Sequence, residues 1–206
     1  MLAFLTVIIM LLLGYAYFVE GLFTAFVMCC NVVGAGLVAF NFFEPLASQV
    51  ELGGYEDFLS LVLIFSLTLA ILRTLTNTLA NTEVEFIPHL QRPGGALFGM
   101  ITGYLASGFI LCAIQTLPWH ENFMLFEPKY ESGNTLRSIL PPDRLWLAMM
   151  HRAGDAGFSR GDQTFDPSGS FELRYARYRR YNDSRDPLPY HGEFDPGIYR
   201  KTPKGQ

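Results

Sequence analysis

Apolar residues fall into four long runs within the first 117 positions, at 2–19, 22–43, 58–80 and 96–117. Each holds roughly 18–23 residues, and at ~1.5 Å of rise per residue each can cross a ~30 Å hydrocarbon layer as a helix. A helix of a water-soluble bundle would carry a polar stripe. The first run offers only Thr6 and a few tyrosines. The pattern predicts an all-α membrane protein with four transmembrane helices.

The links between the runs are short and punctuated. The first two runs are separated only by Glu20-Gly21, the one charged and flexible spot in forty-odd apolar residues. A single helix of that length would be about twice as long as the membrane core, so the chain must reverse there into a tight helical hairpin. Continuation of the apolar run and the lack of a basic start argue against a cleavable signal peptide. Residues 44–57 form an acidic loop with Pro45 and Gly53-Gly54, and residues 81–93 a second loop with Pro88, His89, Arg92 and Pro93. The fourth run stops at Pro118-Trp119, where tryptophan suits the headgroup level.

Beyond position 118 the chain changes character. Residues 118–206 read as a polar tail, largely irregular and partly disordered, with Phe-Asp-Pro at 165–167 and again at 194–196. Within it, residues 142–153 predict one short amphipathic helix, with Leu145, Trp146, Met149, Met150 and Ala153 on its apolar side. That side suits either the membrane interface or the helical bundle.

The fourth run carries Gly95, Gly99 and Gly103, then Ser107, one every fourth residue. Each glycine inside a helix costs about 1 kcal/mol relative to alanine in water. Lipid removes the hydrophobic gain from helix association, so helices there associate by close backbone contact, and small residues four apart permit it. The second run has a weaker counterpart in Gly34, Ala35, Gly36 and Ala39. Two readings stay open, packing within one chain and contact between copies or with a partner.

Charge is segregated. Arg73 and Arg92 are the only basic residues before Pro118, and thirteen of the fifteen lie after it. Polar residues at membrane depth are costly, which singles out Asn31, Arg73, Asn77 and Gln115. Asn31, Arg73 and Asn77 make a candidate polar path; interhelical hydrogen bonding for Asn31 and snorkelling of Arg73 are the plainer alternatives. Cys29, Cys30 and Cys112 lack metal spacing and read as small apolar packers. The four histidines are scattered, and no nucleophile constellation occurs, so neither a metal site, a cofactor nor a catalytic residue is expected. The basic segment 172–185 alternates arginine with tyrosine, yet acidic neighbours dilute it and the tail's net charge is only +1. It reads as a solvated face, with no nucleic acid partner expected. Near the membrane, Arg73 and Arg92 on the third link stand against Lys129 and Arg137 on the tail, and the second loop, on the same side as the termini, has no basic residue at all. The third link is therefore expected in the cytoplasm and both termini outside, on the periplasmic side.

The layout over residues 1–117 resembles the colicin V production protein (CvpA) family of bacterial inner-membrane proteins. The matching residues are Glu20-Gly21-Leu22-Phe23 at the first turn, and Arg92 leading into Gly95, Gly99 and Gly103. Family members usually have a basic residue where this chain has Glu20, and often an acidic one where it has Gln91. The resemblance implies association with colicin V production or export and with envelope function. A related four-span unit anchors some periplasmic proteases, but the tail here has no Gly-x-Ser-x-Gly. The expected role is accessory or structural, in a bundle that meets the lipid bilayer and associates with itself or with an envelope or export protein through the glycine face. The rival is a small transporter or channel.

Overall fold

The computed structural model describes residues 2–50, 52–79, 88–117, 141–157 and 171. Five helices and no strand occur among them: α1 (Leu2–Glu20), α2 (Leu22–Ala47), α3 (Glu56–Leu79), α4 (Pro88–Gln115) and α5 (Pro142–Gly157). Three of these, α2, α3 and α4, are long and apolar enough to cross a membrane, and α1 is a shorter apolar helix. The Phe-Asp-Pro repeats, the basic segment 172–185 and the disorder expected of the tail lie outside the described residues.

Two loop boundaries move. α2 runs on through Glu44 and Pro45 to Ala47 instead of ending at residue 43. Its end is held by the Ser48 N–H bonding the Glu44 carbonyl at 2.9 Å. α4 begins at Pro88, inside the expected loop 81–93, and contains Pro93. A proline at the first helical position loses nothing, because the first N–H groups of a helix have no intrahelical partner. Pro93 forfeits a single ladder bond one turn later, which apolar packing further along α4 offsets.

α4 is the central helix, packed on α1, α2 and α5, while α3 lies against α2. The chain reverses at Gly21 as expected, yet the main packing partner of α1 is α4, not its hairpin neighbour α2. The reason is steric. α4 presents the glycine row, and α1 comes closer to that row than to any face of α2. α3 is the least covered of the long helices: Leu59, Leu63, Leu67, Ile71, Leu75 and Leu79, each four residues from the next, are all exposed.

The core gathers around Phe40. Its ring meets Phe109 at 6.2 Å, Trp146 at 6.3 Å and Phe171 at 5.6 Å, joining α2, α4, α5 and one residue of the tail. Phe65 of α3 stacks on Phe109 at 3.7 Å. The tail helix α5 is thus docked on the bundle. Of the expected apolar side, Trp146 and Met150 are buried and Met149 and Ala153 half-buried, but Leu145 is exposed, and Asp143 and Gly154 are covered instead. The groove between α2 and α4 receives the Trp146 ring, and that orientation turns Leu145 outward.

Candidate functional site

The glycine row of α4 is filled by the backbone of α1. A methyl built on Gly95 would collide with the Tyr17 carbonyl, one on Gly99 would stand 2.5 Å from the Leu13 carbonyl, and one on Gly103 2.7 Å from Met10 Cα. Partner numbers fall as the glycine numbers rise, so the two helices run antiparallel. Gly14 of α1 lies at the crossing, its Cα 3.0 Å from a methyl built on Gly99. Ser107, next in the row, is buried and gives its hydroxyl proton to the Tyr104 carbonyl at 2.7 Å. Gly34 of α2 faces Leu72 of α3, 3.3 Å from an added methyl.

A second glycine contact escaped sequence reasoning. The Trp146 ring sits on Gly36, where an added methyl would overlap it. On the other side a methyl on Gly108 would stand 2.5 Å from the Pro142 carbonyl and 2.9 Å from Trp146 Cβ. Gly36 and Gly108 belong to different helices and share no spacing, so the sequence carries no signal for this socket. Near it, Gln115 donates from Nε2 to Asp143 Oδ2 at 3.3 Å, a buried bond between α4 and α5.

The three residues of the candidate polar path do not converge. Asn31 is buried and donates from Nδ2 to the Thr76 hydroxyl at 3.1 Å, linking α2 to α3. Thr76 donates in turn to the Leu72 carbonyl at 2.9 Å within its own helix. Arg73 and Asn77 are both exposed on α3. Nothing local in the sequence pairs Thr76 with Asn31, since the two lie 45 positions apart.

Gly21 and Arg92, distant in sequence, do come together. Gly21 is a one-residue link: its N–H bonds the Tyr17 carbonyl at 2.9 Å, and its own carbonyl accepts from Ala25 at 3.2 Å. This double duty needs φ +103° and ψ 172°, a conformation essentially reserved for glycine. A methyl there would also approach Gln91 Cγ and Nε2 at 3.2 Å. Around this turn lies a cleft of about 730 Å³, lined by Phe18, Val19 and Gly21 on one side and by His89, Gln91, Arg92 and Pro93 on the other. His89 and Arg92 are exposed and Gln91 half-buried. In the sequence His89 is one of four scattered histidines; the first turns of α4 put it beside Arg92 on the cleft. The arrangement places the Arg92 guanidinium and two further hydrogen-bonding side chains, His89 and Gln91, opposite Phe18 and Val19.

The family model described as Colicin V production protein matches residues 2–130, which takes in α1 to α4 and the cleft. No curated protein and no solved structure matches. With the family model spanning well over half of the chain, this multi-pass helical membrane protein belongs to the colicin V production protein family.

Proposed function

We propose that the chain is an accessory, structural protein of the bacterial inner membrane that supports colicin V production or export by assembling with other envelope components. The seating of Gly95, Gly99 and Gly103 on α1 carries this reading. A bundle whose small-residue face is closed by its own first helix is a packed scaffold. The Asn31–Thr76 bond satisfies the polar residue that a solute path would otherwise expose. In this reading α1 is the fourth span, beside the three longer helices. Arg73 and Arg92 lie toward the end that carries the Gly21 turn, whereas the loop at the opposite end is acidic, which favours a cytoplasmic third link and periplasmic termini. Because α1 occupies the glycine face, contact with a second copy or an export protein falls to the outer leucines of α3.

The test uses a colicin V-producing bacterium that lacks its own family member. The wild-type chain should restore the zone of toxin activity around colonies. The pair Leu63→Trp and Leu67→Trp should shrink that zone while leaving the amount of chain in the membrane unchanged, since lipid accommodates added bulk and a packed partner does not. An unaffected zone in this variant, with loss of solute flux from reconstituted vesicles in Asn31→Leu, would favour the transporter instead.

A further inference from the structure

The cleft at the Gly21 turn has three properties that together specify a ligand. Its size, about 730 Å³, falls within the roughly 300–1,000 Å³ typical of small-molecule sites. One side carries the Arg92 guanidinium, with His89 and Gln91 beside it, and among the described residues no carboxylate lines it. Glu20, the acid nearest in sequence, is exposed and does not contribute to the lining. The opposite side is Phe18 and Val19, the last apolar residues of α1, both exposed. Those two side chains give a lipid's glycerol and first methylenes a surface to lie along. The cleft also sits where α1 ends and α4 begins, and in a bundle that spans the bilayer the ends of apolar helices meet the headgroups.

From this we infer that the cleft binds the phosphate headgroup of an anionic phospholipid of the phosphatidylglycerol type. Arg92 is the bidentate phosphate ligand, the geometry in which a guanidinium exceeds an ammonium. His89 and Gln91 donate to the remaining oxygens, and Phe18 and Val19 lie along the glycerol and first methylenes. Gly21 contributes by having no side chain, which keeps the floor of the cleft open. The inference rests on the chain spanning the bilayer, and it goes beyond the accessory role by naming a lipid for a particular site.

The test is native mass spectrometry of the full chain released from vesicles of equal phosphatidylglycerol and phosphatidylcholine. The wild type should retain phosphatidylglycerol preferentially. Arg92→Gln should lower that retention about fivefold, the effect of one surface cation on an anionic lipid, with Arg92→Lys intermediate. Arg73→Gln, which removes the same charge outside the cleft, should change little. Equal retention of the two lipids by the wild type would overturn the proposal, as would equal losses in Arg73→Gln and Arg92→Gln. Displacement of the lipid by millimolar glycerol phosphate would also overturn it, marking a soluble-anion site. Arg92 is exposed, so Arg92→Gln should elute at the wild-type size; Val19→Glu, which puts a carboxylate in the apolar wall, gives a second reading of the same site. Resistance to carbonate extraction, measured in parallel, tests the spanning reading separately.

Discussion

The α1–α4 crossing and the α5 socket both depend on glycine, in opposite ways. At the crossing, Gly95, Gly99 and Gly103 remove side chains so that backbone meets backbone. At the socket, Gly36 leaves room for the Trp146 ring, while Gly108 lets the Pro142 carbonyl and Trp146 Cβ at the start of α5 come close. The crossing is regular and spread over three turns; the socket is a single point assembled from two helices. A contact of the first kind fails when any one position gains a side chain. A contact of the second kind fails mainly when its ring is removed.

The largest expected effect follows from the crossing. Gly99→Leu drives a branched side chain into the Leu13 carbonyl and Tyr17, and overpacking of this kind costs about 3 kcal/mol or more when backbone cannot yield. Thermal unfolding in detergent should show a large drop in midpoint, and a disulfide engineered between α1 and α4 should no longer form. An unchanged midpoint would mean that α1 does not lie on the glycine row.

Next comes Trp146→Ala. Removing a buried tryptophan costs about 3–5 kcal/mol, and here the loss should stay local. Proteolysis within α5 should accelerate while the midpoint for α1 to α4 moves little. Gly108→Ala and Gly36→Ala refine the contrast. The first presses on the Pro142 carbonyl and the second on a ring tip, so Gly108→Ala should release α5 more readily.

Gln115→Leu is smaller. It removes the amide donor to the buried Asp143 carboxylate, a change worth about 1–3 kcal/mol. Tail release should again be the readout, and Gln115→Glu, which sets two acids together, should exceed it.

The smallest effect is expected at Asn31. A double-mutant cycle of Asn31→Leu and Thr76→Val should give a coupling near 0.6 kcal/mol, the average for hydrogen bonds between membrane helices. A coupling above about 2 kcal/mol would exceed what such bonds supply and point to a larger polar network.

Much of this fold is legible along the chain. Helix length, the break at Gly21 and the four-residue glycine period are local features, each set by residues within a few turns of one another. The helix ends were less so: Pro45 and Pro88 look like loop punctuation, yet Pro88 sits where a helix's first N–H groups have no intrahelical partner, and Pro45 forfeits one ladder bond in the last turn of α2. The candidate site was half legible. Arg92 and Gly21 stood out, and His89 lies three residues before Arg92, but only the packing of α4 on α1 sets both opposite Phe18 and the Gly21 turn.

The sequence by itself determined that this chain makes apolar helices and that one of them has a face stripped of side chains. Period and length are properties of a single helix, and a single helix can be read from its own residues. Which partner fills the stripped face, where Trp146 lodges and what surrounds Arg92 were decided only in three dimensions. In a membrane-spanning bundle every apolar surface suits every other about equally. The choice among neighbours therefore falls to shape, and shape belongs to pairs of helices rather than to either one.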